Sequence, residues 1–176
     1  MAINTAQQLW QHELQDIYDA EHQFLKGQQE MLSNATDLKL QAMLTEHIRQ
    51  TEGQITNLEQ VFKLAGLQPR REMCDAAKGL VSEAKKTMSE CKDAPQVCDN
   101  AILGAASRVE HYEIAVYRGL ITGAQLMGQT QVITLLQENL AQEEQTAQKI
   151  EQALPEMLQK AASQGSRTQP QAQTNH

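Results

Sequence analysis

Apolar residues recur along this chain at three- and four-residue spacing over long stretches, the period of an amphipathic helix rather than of a strand. Turn-forming residues divide the pattern into predicted helices over 5–32, 37–65, 74–90, 96–122 and 129–153. The first ends in the polar run Ser33 to Asp37, and Thr36 or Asp37 is a natural N-cap for the second. Gly66, with Pro69 beyond, stops the second; Pro95 separates the third from the fourth; Gly123 to Gly128 reads as the loop before the fifth. Pro155 either ends that fifth helix or starts a last short one. The predicted organisation is one helical bundle over 1–160 followed by a disordered polar tail over 161–176.

Loop lengths carry topology. Short connections make antiparallel hairpins of the first two and the last two long helices. About thirty residues join the hairpins, enough to cross the bundle from end to end. The predicted fold is therefore all-α, a ferritin-like four-helix bundle with one long crossover that contains a short fifth helix.

Each of the four long helices interrupts its apolar stripe with a carboxylate. The stripes read Trp10, Leu14, Ile17, Glu21, Phe24; then Leu44, Ile48, Glu52, Ile55; then Ile102, Ala106, Val109, Glu113, Val116, with Glu110 one turn before Glu113; then Ile133, Leu136, Leu140, Glu143, Ala147. At ~1.5 Å of rise per residue, Glu21 and Glu52 lie about 18 and 22 Å from their common hairpin turn. Glu110, Glu113 and Glu143 lie about 20, 15 and 22 Å from theirs. All five are expected near one level. Carboxylates there cannot stay ionised and unpaired, since each would cost several kcal/mol. Protonation and bound cations are the two remedies. Two divalent ions supply four positive charges against five negative, and oxygen donors alone favour hard ions such as iron or manganese over zinc or copper. Arg49, one turn before Glu52, would weaken one ion position if it turned inward. His47 and His111 read as hydrogen-bonded packing residues, with ligation the alternative. Tyr18 and Tyr117 could bond a ligand carboxylate or be ordinary core tyrosines. Gly53 suggests a close helix approach, and Glu83 is a candidate cap for one end of the site.

Composition narrows the classes further. Only 3 % of residues are aromatic, which disfavours an all-β chain. The net charge of −7 offers no basic stripe for nucleic acid. No apolar run approaches the ~18 residues of a membrane span, and no secretory signal is visible at MAINTAQQLW. Cys74, Cys91 and Cys98 read as reduced thiols, with a Cys91–Cys98 bridge the alternative. A cytoplasmic protein is expected.

The segments LQDIYDAEHQ, HIRQTEGQITNLEQVF, MCDAAKGLVSEA, VEHYEIAVY and LLQENLAQEE resemble the YciE/YciF family of bacterial stress-related ferritin-like proteins, in order and spacing over about residues 5 to 155. The resemblance implies a ferritin-like bundle, usually dimeric, with a dinuclear metal site on its inner helices. It matches Glu21, Glu110, Glu113 and Glu143 to family acids. It aligns Arg49 and Glu52 with the Glu and His of a Glu-x-x-His found in some relatives. The expected function is a metal-binding protein holding two divalent ions (Fe or Mn) on Glu21, Glu52, Glu110, Glu113 and Glu143, with slow redox handling of metal or peroxide under stress. The alternative is a non-catalytic metal-binding or structural helical-bundle homodimer.

Overall fold

The computed structural model describes residues 2–167 and consists, over that span, of five helices: α1 (Ala6–Asn34), α2 (Leu38–Leu64), α3 (Asp75–Cys91), α4 (Pro95–Leu126) and α5 (Thr130–Arg167). Three of the starts have a plain local cause. Thr5 caps α1 through a reciprocal pair with Gln8, its Oγ1 accepting from Gln8 N and its own N–H donating to Gln8 Oε1, both at 3.1 Å. Asp37 caps α2 by accepting from Lys39 N and Leu40 N. Pro95 opens α4, where its missing N–H leaves nothing unsatisfied. Gly66 and Gly128, at φ +72° and +70°, follow α2 and α4 in the left-handed conformation that only glycine adopts at little cost.

Helices α1, α2, α5 and α4 pack in that order around a ring, and α3 lies across the outer face of α1 and α4. The bundle has two short hairpin connections and one long crossover, the ferritin-like connectivity. The apolar interior is in two pieces. One cluster, with Trp10, Leu14, Phe24, Leu58, Phe62 and Leu120, gathers the start of α1 with the ends of α2 and α4. The other, with Met31, Leu40, Leu44, Ile102, Leu103 and Ile150, gathers the opposite end. Between them lies a buried polar layer.

Two elements run past their expected limits. Gly123 is not a loop residue but lies inside α4: the Trp10 ring occupies the space a Cβ would take, 2.6 Å from Trp10 Cδ1, and Trp10 Nε1 donates to Leu120 O at 2.9 Å. The α5 helix passes through Pro155 to Arg167, so the predicted tail boundary at 161 falls inside a helix, and 168–176 lie outside the described residues. Met157 is buried, Lys160 bonds Asp37 at 2.7 Å, and Glu156 bonds Lys39 at 2.8 Å. Those contacts with the α2 start explain the extension. Cys74, Cys91 and Cys98 are free thiols. Among the described residues, no helix is long and apolar enough to cross a membrane.

Buried aspartates tie the connections down. Asp99 on α4 accepts from Thr36 N at 2.7 Å, Thr36 Oγ1 at 2.6 Å and Asp37 N at 3.0 Å, fixing the α1–α2 turn. Asp19 on α1 accepts from Arg71 Nε at 2.7 Å, Gln23 Nε2 at 2.6 Å and Cys74 N at 2.9 Å, fixing the entry to α3. Burial alone would raise the Asp19 pKa, but the bonds from Cys74, Gln23 and Arg71 outweigh it and the net shift is downward. A depressed folded pKa contributes stability above the ordinary carboxyl range that is lost as pH falls through it. Asp19→Asn should therefore lower stability by roughly 1–3 kcal/mol at neutral pH. The deficit should shrink as wild type is acidified, and thermal melts across acid pH measure both.

Candidate metal centre

The polar layer is built from all four long helices. Glu21 on α1, Glu110 and Glu113 on α4 and Glu143 on α5 are all 0 % exposed, and His47 on α2 is 3 % exposed. Glu110 and Glu113 share a face because they are three residues apart on one helix. His47, Glu110, Glu113 and Glu143 each offer one ligand atom within 4.8 Å of one another. His47 Nε2 lies 3.0 Å from Glu110 Oε1 and 4.0 Å from Glu143 Oε2, without the alignment of a hydrogen bond. Glu21 joins the layer against Glu113, and its Oε1 accepts from the Tyr117 hydroxyl.

Hydrogen bonding in the layer is incomplete. Glu21 Oε2, both oxygens of Glu110, both of Glu113, Glu143 Oε2, His47 Nε2 and Gln54 Oε1 are buried without a hydrogen-bond partner. Buried polar groups are ordinarily satisfied, and isolated buried carboxylates shift toward the neutral form. That shift is present here. Burial, reinforced by the charge of Glu143, pushes Glu21 up to about 8, despite the opposing bond from Tyr117. Burial pushes Glu110 up to about 7. Glu113 and Glu143 are raised well above the usual carboxyl range, first by burial and then by neighbouring carboxylates. Four acids whose ionisation is disfavoured without a compensating charge, plus an imidazole and spare oxygen donors, form a group able to hold a metal ion.

Glu21, Glu110, Glu113 and Glu143 lie in one buried layer as expected, but the α2 component differs from the expected one. Glu52 is exposed, not interior, and so is Arg49. The buried face of α2 instead runs His47, Thr51, Gln54, Leu58, spaced by four, three and four. Thr51 Oγ1 lies 3.1 Å from Gln28 Oε1 and from His47 O, and Gln54 Nε2 donates to Glu143 Oε1 and to Gln142 Oε1. Of the expected stripe, Leu44 and Ile55 are buried, Ile48 is half-buried and Glu52 lies off the face. The inward residues face acids and are themselves polar, so hydrophobicity could not reveal them. The signal was Thr51 and Gln54, short polar positions at helical spacing from His47. Gly53 meets no neighbour within 4 Å, so no close helix approach occurs there. His111 is exposed and bonds Ser107 O through Nδ1 at 2.8 Å. Tyr18 bonds Glu59 rather than an acid of the layer. Glu83 pairs with Arg108 at 3.3 Å on the surface.

The sequence matches the family described as a domain of unknown function, DUF892, over residues 5–163. It is 34 % identical over 147 residues to the protein YciF of Escherichia coli K12, covering 83 % of this chain and 88 % of that one. The solved structure of the E. coli stress protein YciF superposes with a TM-score of 0.84 at 32 % identity, covering 89 % of this chain and 99 % of that one. YcfI of Rhodopseudomonas palustris superposes with a TM-score of 0.81 at 40 % identity, over 85 % of this chain and 94 % of that one. A protein of Xanthomonas campestris pv. campestris shares the fold, with a TM-score of 0.72 at 18 % identity over 93 % of this chain and 99 % of that one. This chain belongs to the DUF892 family, the family of the stress protein YciF.

Proposed function

We propose that this chain is a metal-binding ferritin-like protein of the stress response, holding two divalent ions, iron or manganese, in the polar layer. Slow redox handling of metal or peroxide is its proposed work. The observation that carries this reading is the set of buried, unpartnered donor atoms from four helices at one level. The donors fit such ions. We assign His47, Glu110 and Glu143 to one position, Glu21 to the other, and Glu113 to both. Four carboxylates balance two divalent charges, a better match than the five acids counted from sequence. His47 adds one nitrogen donor to an oxygen-rich set, which still suits iron and manganese. Bound there, either metal supplies one-electron redox chemistry. The protein's own residues exclude bulk water with the two flanking apolar clusters and orient the ligands: Tyr117 steers Glu21, and Gln54 steers Glu143.

Metal should stabilise the folded chain, because the separated chain hardly binds it; at a hundredfold excess over Kd the gain is about 2.7 kcal/mol. Mn²⁺ or Fe²⁺ added to chelator-treated protein should raise its melting temperature, and Glu113→Ala or Glu143→Ala should abolish the rise. An unchanged wild-type melt would refute the centre. Metal-free Glu143→Leu should be more stable than metal-free wild type by roughly 1–4 kcal/mol, since a buried carboxyl with one unsatisfied oxygen is replaced by an apolar side chain.

The pH dependence follows from the raised pKa values. Protonated carboxyls favour the folded metal-free state, so its stability is fullest below the ordinary carboxyl pKa and falls as pH rises through about 7 for Glu110 and about 8 for Glu21. Metal loading should oppose this loss, because ions displace the protons. Melts of both forms at about pH 5 and about pH 8.5 should diverge at the higher value.

The α2 contribution can be strengthened. Gln54→Glu adds a negative charge beside Glu143 and should tighten the ion held by His47, Glu110 and Glu143 by roughly tenfold, read by calorimetric titration with Mn²⁺. No gain would show that Gln54 does not face an ion position.

A further inference from the structure

Glu21 receives its hydrogen bond through a chain whose direction the chemistry fixes. Asn139 on α5 is 0 % exposed, and its Nδ2 lies 3.3 Å from the backbone carbonyl of Gln54. A carbonyl only accepts, so the amide nitrogen, not its oxygen, must face that way. The second Nδ2 hydrogen goes to the Tyr117 oxygen at 3.0 Å, and Asn139 Oδ1 accepts from Asn57 Nδ2 at 2.8 Å. Tyr117 is itself 0 % exposed. With its oxygen accepting from Asn139, the single phenolic proton is left for Glu21 Oε1. Donors therefore run one way, from Asn57 on α2 to Asn139 on α5, to Tyr117 on α4, to Glu21 on α1. Reversal would bring the Asn139 oxygen against the Gln54 carbonyl, two acceptors with no proton between them.

We infer that Asn139 and Tyr117 are positioning residues for the candidate metal centre, occupying Glu21 Oε1 so that Oε2, buried and without a partner, is the one oxygen Glu21 offers to an ion. This rests on the metal-binding reading above. Glu21 is thereby held as a one-oxygen ligand, because the Tyr117 bond competes with any ion for Oε1. Its ion position has fewer donor atoms than the position served by His47, Glu110 and Glu143. The two ions are held unequally, and the chain of amides and phenol sets the difference.

The test has two arms. In metal-free protein, the buried Tyr117 hydroxyl should give a slowly exchanging proton NMR signal that is absent in Tyr117→Phe. The signal should move in Asn139→Asp, where a carboxylate can only accept and draws the Tyr117 proton away from Glu21. An absent wild-type signal, or one unmoved in Asn139→Asp, overturns the directed chain whether or not metal binds. In the second arm, calorimetry with Mn²⁺ alone should show two unequal ions in wild type. Tyr117→Phe and Asn139→Asp should each weaken only the weaker ion, by about tenfold or more. Two ions bound unchanged in a folded Tyr117→Phe or Asn139→Asp would overturn the positioning role and leave the metal-binding reading standing. No Mn²⁺ bound by wild type would overturn both. Circular dichroism establishes that each variant folds, and because Tyr117→Phe and Asn139→Asp test the positioning role separately, either folded variant decides it.

Discussion

Removing a carboxyl group from water without satisfying both its oxygens is costly, and this bundle does so four times in one layer. The rest of the interior is arranged around that fact. Apolar side chains are kept to two clusters, one on each side of the layer, and the layer itself admits only polar residues: His47, Thr51, Gln54 and Asn139 beside the four glutamates. Each long helix contributes at least one of these groups. The layer therefore opposes folding wherever its acids ionise unaided, and favours folding wherever protons or cations neutralise them.

The contrast with the buried aspartates is instructive. Asp19 and Asp99 are as thoroughly removed from solvent as many core residues, yet each collects three donors from backbone and side chains. They behave as structural anchors, holding the crossover and the α1–α2 turn against α1 and α4. Glu110 and Glu113 collect none. Residues of one chemical class thus divide into acids that face a turn or connecting segment and are satisfied, and acids that face the middle of the bundle and are not. The difference is one of neighbours: loop backbone N–H groups are free to donate at helix ends, whereas mid-helix N–H groups already serve their own helix. An acid in the middle of a bundle can be satisfied only by side chains, protons or ions.

Side-chain donors are supplied sparingly. Tyr117 serves Glu21 and Gln54 serves Glu143, each through one oxygen. The remaining oxygens face one another and His47. This restraint distinguishes the layer from a closed polar network, in which every member would be paired and nothing further could bind. The tyrosine and the amides orient ligands while leaving their free atoms directed into the layer.

From the residues alone came five helices in order, their hairpin pairing with one long crossover, and the level of Glu21, Glu110, Glu113 and Glu143. Those features follow from local chemistry: caps, breakers, and a rise per residue that fixes how far along its axis each position lies. Rotation about the axis was another matter. On α1, α4 and α5 the acids interrupt strongly apolar faces, so the stripe gave the phase; on α2 the inward face is itself polar, and Glu52 was read inward where His47 and Gln54 in fact point. Gly123 and Pro155 likewise have the residue types of helix ends, but the Trp10 ring seated on one and the contacts of Met157 and Lys160 beyond the other carried each helix through. Axial position is set by the chain's own geometry. Facing and final length were decided by what the neighbouring helices brought against each surface, information that no single helix carries.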